Sequence, residues 1–168
     1  MIKLTRRVLQ VLQFLNILIG ALLLLLLGAM LIDPSLFAHS ITRGLPTADP
    51  VRLLAAGQLI LALVLPTGIA AFIIFNRLIA MLDTVSLSDP FVPANADRLR
   101  TVALALLAIQ VCDVLFGVLG AWADTAAGAR VSTWSPGITG WVAVLLAFVL
   151  ARIFREGTRM RADLELTV

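Results

Sequence analysis

Asp113 is an acid set among apolar neighbours, and the sequence offers it few partners. It lies twelve positions after Thr101 in the apolar run 101–122, which at ~1.5 Å per helical residue puts it about 18 Å along that run, near the centre of a bilayer. An acid at that depth costs roughly 2.5 to 3.5 kcal/mol, so it must face protein or water. Eleven Val, Leu, Ile and Phe residues in the same run, at roughly −0.3 to −0.6 kcal/mol each, still carry the helix into the membrane. Gln110 sits about one turn away on the same face. Gln13 and Asn16 in a first apolar run, and Gln58 in a second, are the other amides able to reach the interior, and by depth Asn16 and Gln58 match Asp113. Such a cluster supports a proton-linked or ligand-binding centre. The simpler reading, and the favoured one, is plain interhelical hydrogen bonds that hold a bundle together. No Lys or Arg lies deep in any run to complete an ion-pair relay.

The neighbouring Cys112 is the single cysteine and His39 the single histidine. Neither a disulfide within the chain nor a thiolate–imidazole metal centre can be assembled from them. There is no phosphate-binding Gly-Lys-Ser/Thr loop, no nucleophile elbow and no paired-carboxylate spacing within an apolar run. The expectation is a protein without cofactor or metal that is not an enzyme.

Composition says what must position these residues. Of the 168 residues, 61% are hydrophobic and only 14% charged, with a mean hydropathy of +1.04; water is not the main solvent of such a chain. A pI near 10.4 could point to nucleic acid, but the net charge is only +3 and the basic residues fall in short clusters between apolar runs, so no direct nucleic-acid binding is expected. About 20 apolar residues span a hydrocarbon core as a helix, because backbone polar groups cannot be left unpaired in lipid. Four runs qualify, at 8–32, 53–75, 101–122 and 138–154. The reading is an all-α polytopic membrane bundle, one domain over 1–168. The first run is too long for a signal peptide's core of roughly 7 to 15 residues, so it is expected to stay uncleaved.

Punctuation agrees with these limits. Asp49-Pro50 and Asp89-Pro90 each place a capping carboxylate before a proline, a helix start. Asp33-Pro34 closes the first run and opens an outer loop over 33–52; a second outer loop covers 123–137. Pro66 removes the amide that would bond the Ala62 carbonyl, predicting a kink between Ala62 and Pro66. Beyond Phe75 and beyond Phe154, apolar residues continue at helical spacing among charges, and the third helix is approached from Asp89-Pro90, so helices two to four are expected to extend into the cytoplasm. Ten of the thirteen basic residues fall in 1–7, 76–100 and 152–161, with Arg43, Arg52 and Arg130 in the other connections. That bias places 1–7, 76–100 and 155–168 in the cytoplasm with both termini, and Trp122, Trp134 and Trp141 read as an interfacial belt around the second outer loop.

Two segments carry more than periodicity: Ser88 to Arg100 (SDPFVPANADRLR) and Ile153 to Val168 (IFREGTRMRADLELTV). They resemble the signature segments of a bacterial four-helix membrane family catalogued as domain of unknown function 2975. Its members frequently accompany a small Cro-like helix-turn-helix regulator. The resemblance implies a multi-pass protein of the bacterial inner membrane and moves attention to the cytoplasmic side, where Asp89, Pro90, Phe91, Asn95 and Arg98 would meet Glu156, Gly157, Asp163 and Glu165 in a docking face. The plainer reading of the same residues is that Asn95 or Asp89 caps the third helix while Arg98 and Arg100 pair with the acidic tail.

The expected function is a regulatory or accessory protein coupling the membrane to a cytoplasmic regulator. A small oligomeric proton-linked carrier or channel centred on Asp113 is the alternative from another class, and a structural subunit of a larger membrane complex is a third. The expected partners are the lipid bilayer, the regulator and further copies of the chain.

Overall fold

The computed structural model describes residues 2–86 and 92–165, with side chains over 3–84 and 92–161. The described residues form six helices: α1 (Ile2–Ile32), α2 (Pro34–Gly44), α3 (Pro50–Ala62), α4 (Val64–Ser86), α5 (Pro93–Ala127) and α6 (Ile138–Glu165). Four stretches are long and apolar enough to cross a membrane: Lys3–Ile32, Pro50–Thr84, Pro93–Ala127 and Ile138–Arg161. Each contains one of the predicted runs, and the helices continue beyond them, α6 passing through Gly157 without a break.

The second span is interrupted where its chemistry requires it. Pro66 has no amide hydrogen to offer Ala62, so α3 ends at Ala62 and α4 begins at Val64. Between them Leu63 stays in right-handed helical geometry (φ −66°, ψ −16°) while its amide is shared between the Leu59 and Ile60 carbonyls at 3.3 and 3.2 Å. The regular bonding is lost for one turn while the chain continues forward.

The connection after the first span differs from expectation, since 34–44 is helical rather than loop. Asp33 does end α1, but its carboxylate also accepts from the Ser35 amide and Pro34 takes the first helical position, so the same pair starts α2. Asp49-Pro50 repeats the device at α3, the carboxylate accepting from the amides of Val51 and Arg52 at 3.1 Å each. The expected start at Asp89-Pro90 lies outside the described residues, and α5 opens on Pro93.

Two compact units can be distinguished. One holds Met1–Asn16, Ile69–Gln110 and Gly137–Val168; the other holds Ile17–Gly68 and Val111–Pro136. In both, the buried positions are mostly small. In the first they include Ala70, Ala96, Ala103, Ala105, Ala147 and Ala151, and in the second Ala56, Ala123, Ala126 and Ala127. The large side chains point outward, with Phe14 64%, Leu22 66% and Leu25 71% exposed along α1. In water this would be an unstable surface; in a bilayer it is the expected one, because lipid solvates leucine and helix association depends on close backbone approach through small residues.

Candidate functional site

In the second unit Asp113 is partnered from the loop that follows α5. Gly128 ends that helix at φ +66°, a left-handed conformation that favours glycine, and the chain then runs without regular structure to Gly137. Asp124 draws it back onto α5, one carboxylate oxygen accepting from the amides of Val131 and Ser132 at 2.8 and 2.7 Å. The Trp134 ring then lies on the α5 backbone at Gly117, where an added Cβ would come within 2.6 Å of the indole, and Ser132 lies on Gly120 in the same way. With its ring there, Trp134 donates from Nε1 to Asp113 Oδ1 at 3.2 Å. The loop thus supplies the donor that a half-buried carboxylate in an apolar helix needs. The sequence reading placed Trp134 in an interfacial belt with Trp122 and Trp141. Those two are exposed, at 36% and 41%, whereas Trp134 is half-buried and turned to Asp113.

Gln58, in the same unit, takes a different partner: Nε2 donates to the Met30 carbonyl at 3.1 Å and ties α3 to α1. Beside this contact an apolar cavity of about 470 Å³ lies among Met30, Phe37, Ile41, Leu54 and Gly57. In the first unit Gln13 and Asn16 are half-buried on α1. Gln110 rests its amide directly on the α6 backbone, where a Cβ on Gly140 would come within 2.2 Å of Oε1.

The first unit holds the second group of predicted residues, and there the polar chemistry is concentrated at the junction of α4 and α5. Asn95 is 1% exposed, the one fully buried large polar side chain among the described residues. Its Nδ2 donates to Thr84 Oγ1 at 2.9 Å and its Oδ1 accepts from Arg98 Nη1 at 2.8 Å. Arg98 Nη1 also donates to the Ala80 carbonyl at 3.1 Å, and the Thr84 hydroxyl donates to the Met81 carbonyl at 2.7 Å. Because a guanidinium can only donate, the amide oxygen must face Arg98 and the amide nitrogen Thr84. Asn95 is therefore a cross-helix joint. It lies inside the first turn of α5, which opens on Pro93, and Arg98 takes part in the same joint; the acidic side chains of Asp163 and Glu165 expected to meet Arg98 and Arg100 lie outside the described residues.

Around the joint the ionic contacts are looser. Arg6 and Asp83 pair at 2.9 Å, each about half exposed, and Arg155 approaches Asp97 only to 3.9 Å with both largely in solvent; exposed pairs of this kind contribute ~0 to 1 kcal/mol. Glu156 is exposed and Gly157 half-buried. Asp89, Pro90 and Phe91 lie outside the described residues, as do the side chains of Asp163 and Glu165. Between α5 and α6 a cavity of about 450 Å³ is lined by Arg100, Phe148, Ala151, Arg152, Arg155 and Glu156. Sequence reading did not find it. Its signal was present as Phe148, Ala151, Arg152, Arg155 and Glu156, spaced on one helical face. No cluster of three or more His, Cys, Asp or Glu able to hold a metal occurs among the described residues.

No curated protein and no solved structure matches the chain. Residues 12–168, nearly its whole length, match the family described as protein of unknown function (DUF2975). The chain, all-α with four helices long and apolar enough to cross a membrane, thus belongs to the DUF2975 family.

Proposed function

We propose that this protein is a regulatory or accessory component of the bacterial inner membrane, with both termini in the cytoplasm, that couples the bilayer to a cytoplasmic protein. The observation that carries the reading is the division of polar groups. Gln58, Asp113 and the Asn95–Arg98 pair are engaged inside their units, whereas Glu156 and Arg159 toward the end of α6 are exposed. Engaged groups hold helices; exposed charges at a helix end meet partners. The Lys and Arg bias puts that end inside the cell. The DUF2975 resemblance suggests a small Cro-like helix-turn-helix regulator as the partner, which leaves nucleic-acid contact to that regulator.

The test is purification of the tagged protein from its native membranes after mild crosslinking, comparing the full chain with one lacking Arg159–Val168. The expected result is a cytoplasmic protein retained by the full chain and lost with the tail. Recovery of nothing but further copies of the chain would overturn the reading.

A second reading, an oligomeric proton-linked carrier or channel, is favoured by one contact: the link between Asp113 and a residue of the outer loop. It predicts flux in liposomes that Asp113→Asn alters. Unchanged flux in that variant would remove Asp113 from any transport mechanism, and a stoichiometric complex with other membrane proteins would support a structural subunit instead.

A further inference from the structure

We propose that the cavity between α5 and α6 binds the phosphate of an anionic glycerophospholipid. Three arginines, Arg100, Arg152 and Arg155, line one space of about 450 Å³ with a single acidic residue, Glu156. Arg100 and Arg152 make no ion pair among the described residues, and Arg155 has only the 3.9 Å approach to Asp97. Like charges gathered in one cavity repel unless an anion lies between them, and the planar donor fork of arginine fits phosphate oxygens two at a time.

Position and polarity distinguish a lipid from a free phosphate. Arg100 immediately precedes the apolar run 101–122 and Arg152 lies two residues inside the end of 138–154, so both cations sit at headgroup level, where basic pockets between membrane helices take anionic headgroups. Beside Arg152 the lining holds Ala151 and, one turn deeper, Phe148, and the outer faces of the two helices at that depth carry Leu104, 49% exposed, and Leu145, 65% exposed. A soluble phosphate has no use for that deeper end. An acyl chain does, and the change from charged to apolar along one face of α6 follows the change from headgroup to tail. The inference requires that the helices span a bilayer and is independent of which protein, if any, docks on the exposed tail.

The test is native mass spectrometry of the full-length protein in detergent, titrated with phosphatidylglycerol, phosphatidylcholine or inorganic phosphate. Phosphatidylglycerol is expected to bind about tenfold or more tighter than phosphatidylcholine and to stay bound in a large excess of inorganic phosphate. The double variant Arg100→Gln/Arg152→Gln should lose the preference, while Arg77→Gln/Arg159→Gln, which removes the same charge elsewhere, should keep it. Equal binding of the two lipids by the unsubstituted protein would overturn the proposal, a result that needs no variant to fold. Displacement of phosphatidylglycerol by inorganic phosphate would overturn it in favour of a soluble anion, and an equal loss in both double variants would reduce it to general charge attraction.

Discussion

The indole of Trp134 and the carboxylate of Asp113, 21 residues apart in sequence, meet at 3.2 Å because the segment after α5 folds back along that helix. The contact depends on two further conditions: Asp124 holding the loop by two amides, and Gly117 leaving the helix surface flat beneath the ring. Each can be removed separately.

Trp134→Phe keeps an aromatic ring and removes the donor. Losing one hydrogen bond to a partly buried acid costs about 1 to 3 kcal/mol, which should lower the thermal midpoint in detergent. Asp113→Asn should do so as well, and the double variant should fall short of the sum by about 0.5 kcal/mol or more. Strict additivity would show that the two side chains do not support one another.

Gly117→Ala places a methyl group within 2.6 Å of the indole, closer than a rigid ring on a helix backbone can accept. The loop should lift, and trypsin should cut at the exposed Arg130 several-fold faster than in the unsubstituted protein. Gly120→Ala meets Ser132, whose hydroxyl can rotate away and whose Cβ lies at 3.1 Å, so its effect on cleavage should be smaller.

Asn95→Ala leaves Arg98 Nη1 with the Ala80 carbonyl alone and opens a gap at a site 1% exposed to solvent. A loss of about 2 kcal/mol is expected, with local hydrogen exchange accelerating at the α4–α5 junction before the rest of the chain opens. If Asn95→Ala unfolds at the same denaturant concentration as the unsubstituted protein, the joint is not structural.

The start of α2 should respond to acid. The Ser35 hydroxyl bonds the Asp33 carboxylate and, against the opposing effect of desolvation and with the backbone amides of Leu36 and Ser35, holds its pKa below the ordinary 3.8. The charged form is favoured in the folded state, so its capping contribution is complete above the ordinary value and is lost as pH falls through the lowered one. Hydrogen exchange in 34–44 should therefore rise at the acid end of the range, and Asp33→Asn should flatten that response.

Much of this architecture is carried by local pattern, and the departures have definite causes. The four spans follow from run length, since lipid imposes the same requirement on every stretch of backbone. The break near Leu63 follows from one missing amide at Pro66. The helix at 34–44 was missed because Asp33-Pro34 carries two signals at once, and its reading as a stop hid its reading as a start. The segment at 128–137 has no period to read: its path is set by Asp124, Gly117 and Gly120, whose partners lie 7 to 17 residues away, and a glycine has no side chain to announce such a contact. Asn95 and Arg98 stood out in sequence, but their roles depended on Thr84 and Ala80 across an intervening helix end. The arginine cavity needed two helices side by side, which spacing on either one could not supply.

The alanine-lined interior also reverses the usual map of which positions tolerate change. In a protein folded in water, leucines are hard to replace and surface alanines are nearly neutral. Here the exposed leucines along α1, such as Leu22 and Leu25, can drift among Leu, Ile, Val and Phe at little cost, while a single added methylene at Ala56, Ala103 or Ala127, each with no exposed surface, would push two helices apart. A saturation scan of this chain would find its strictest positions among its smallest residues.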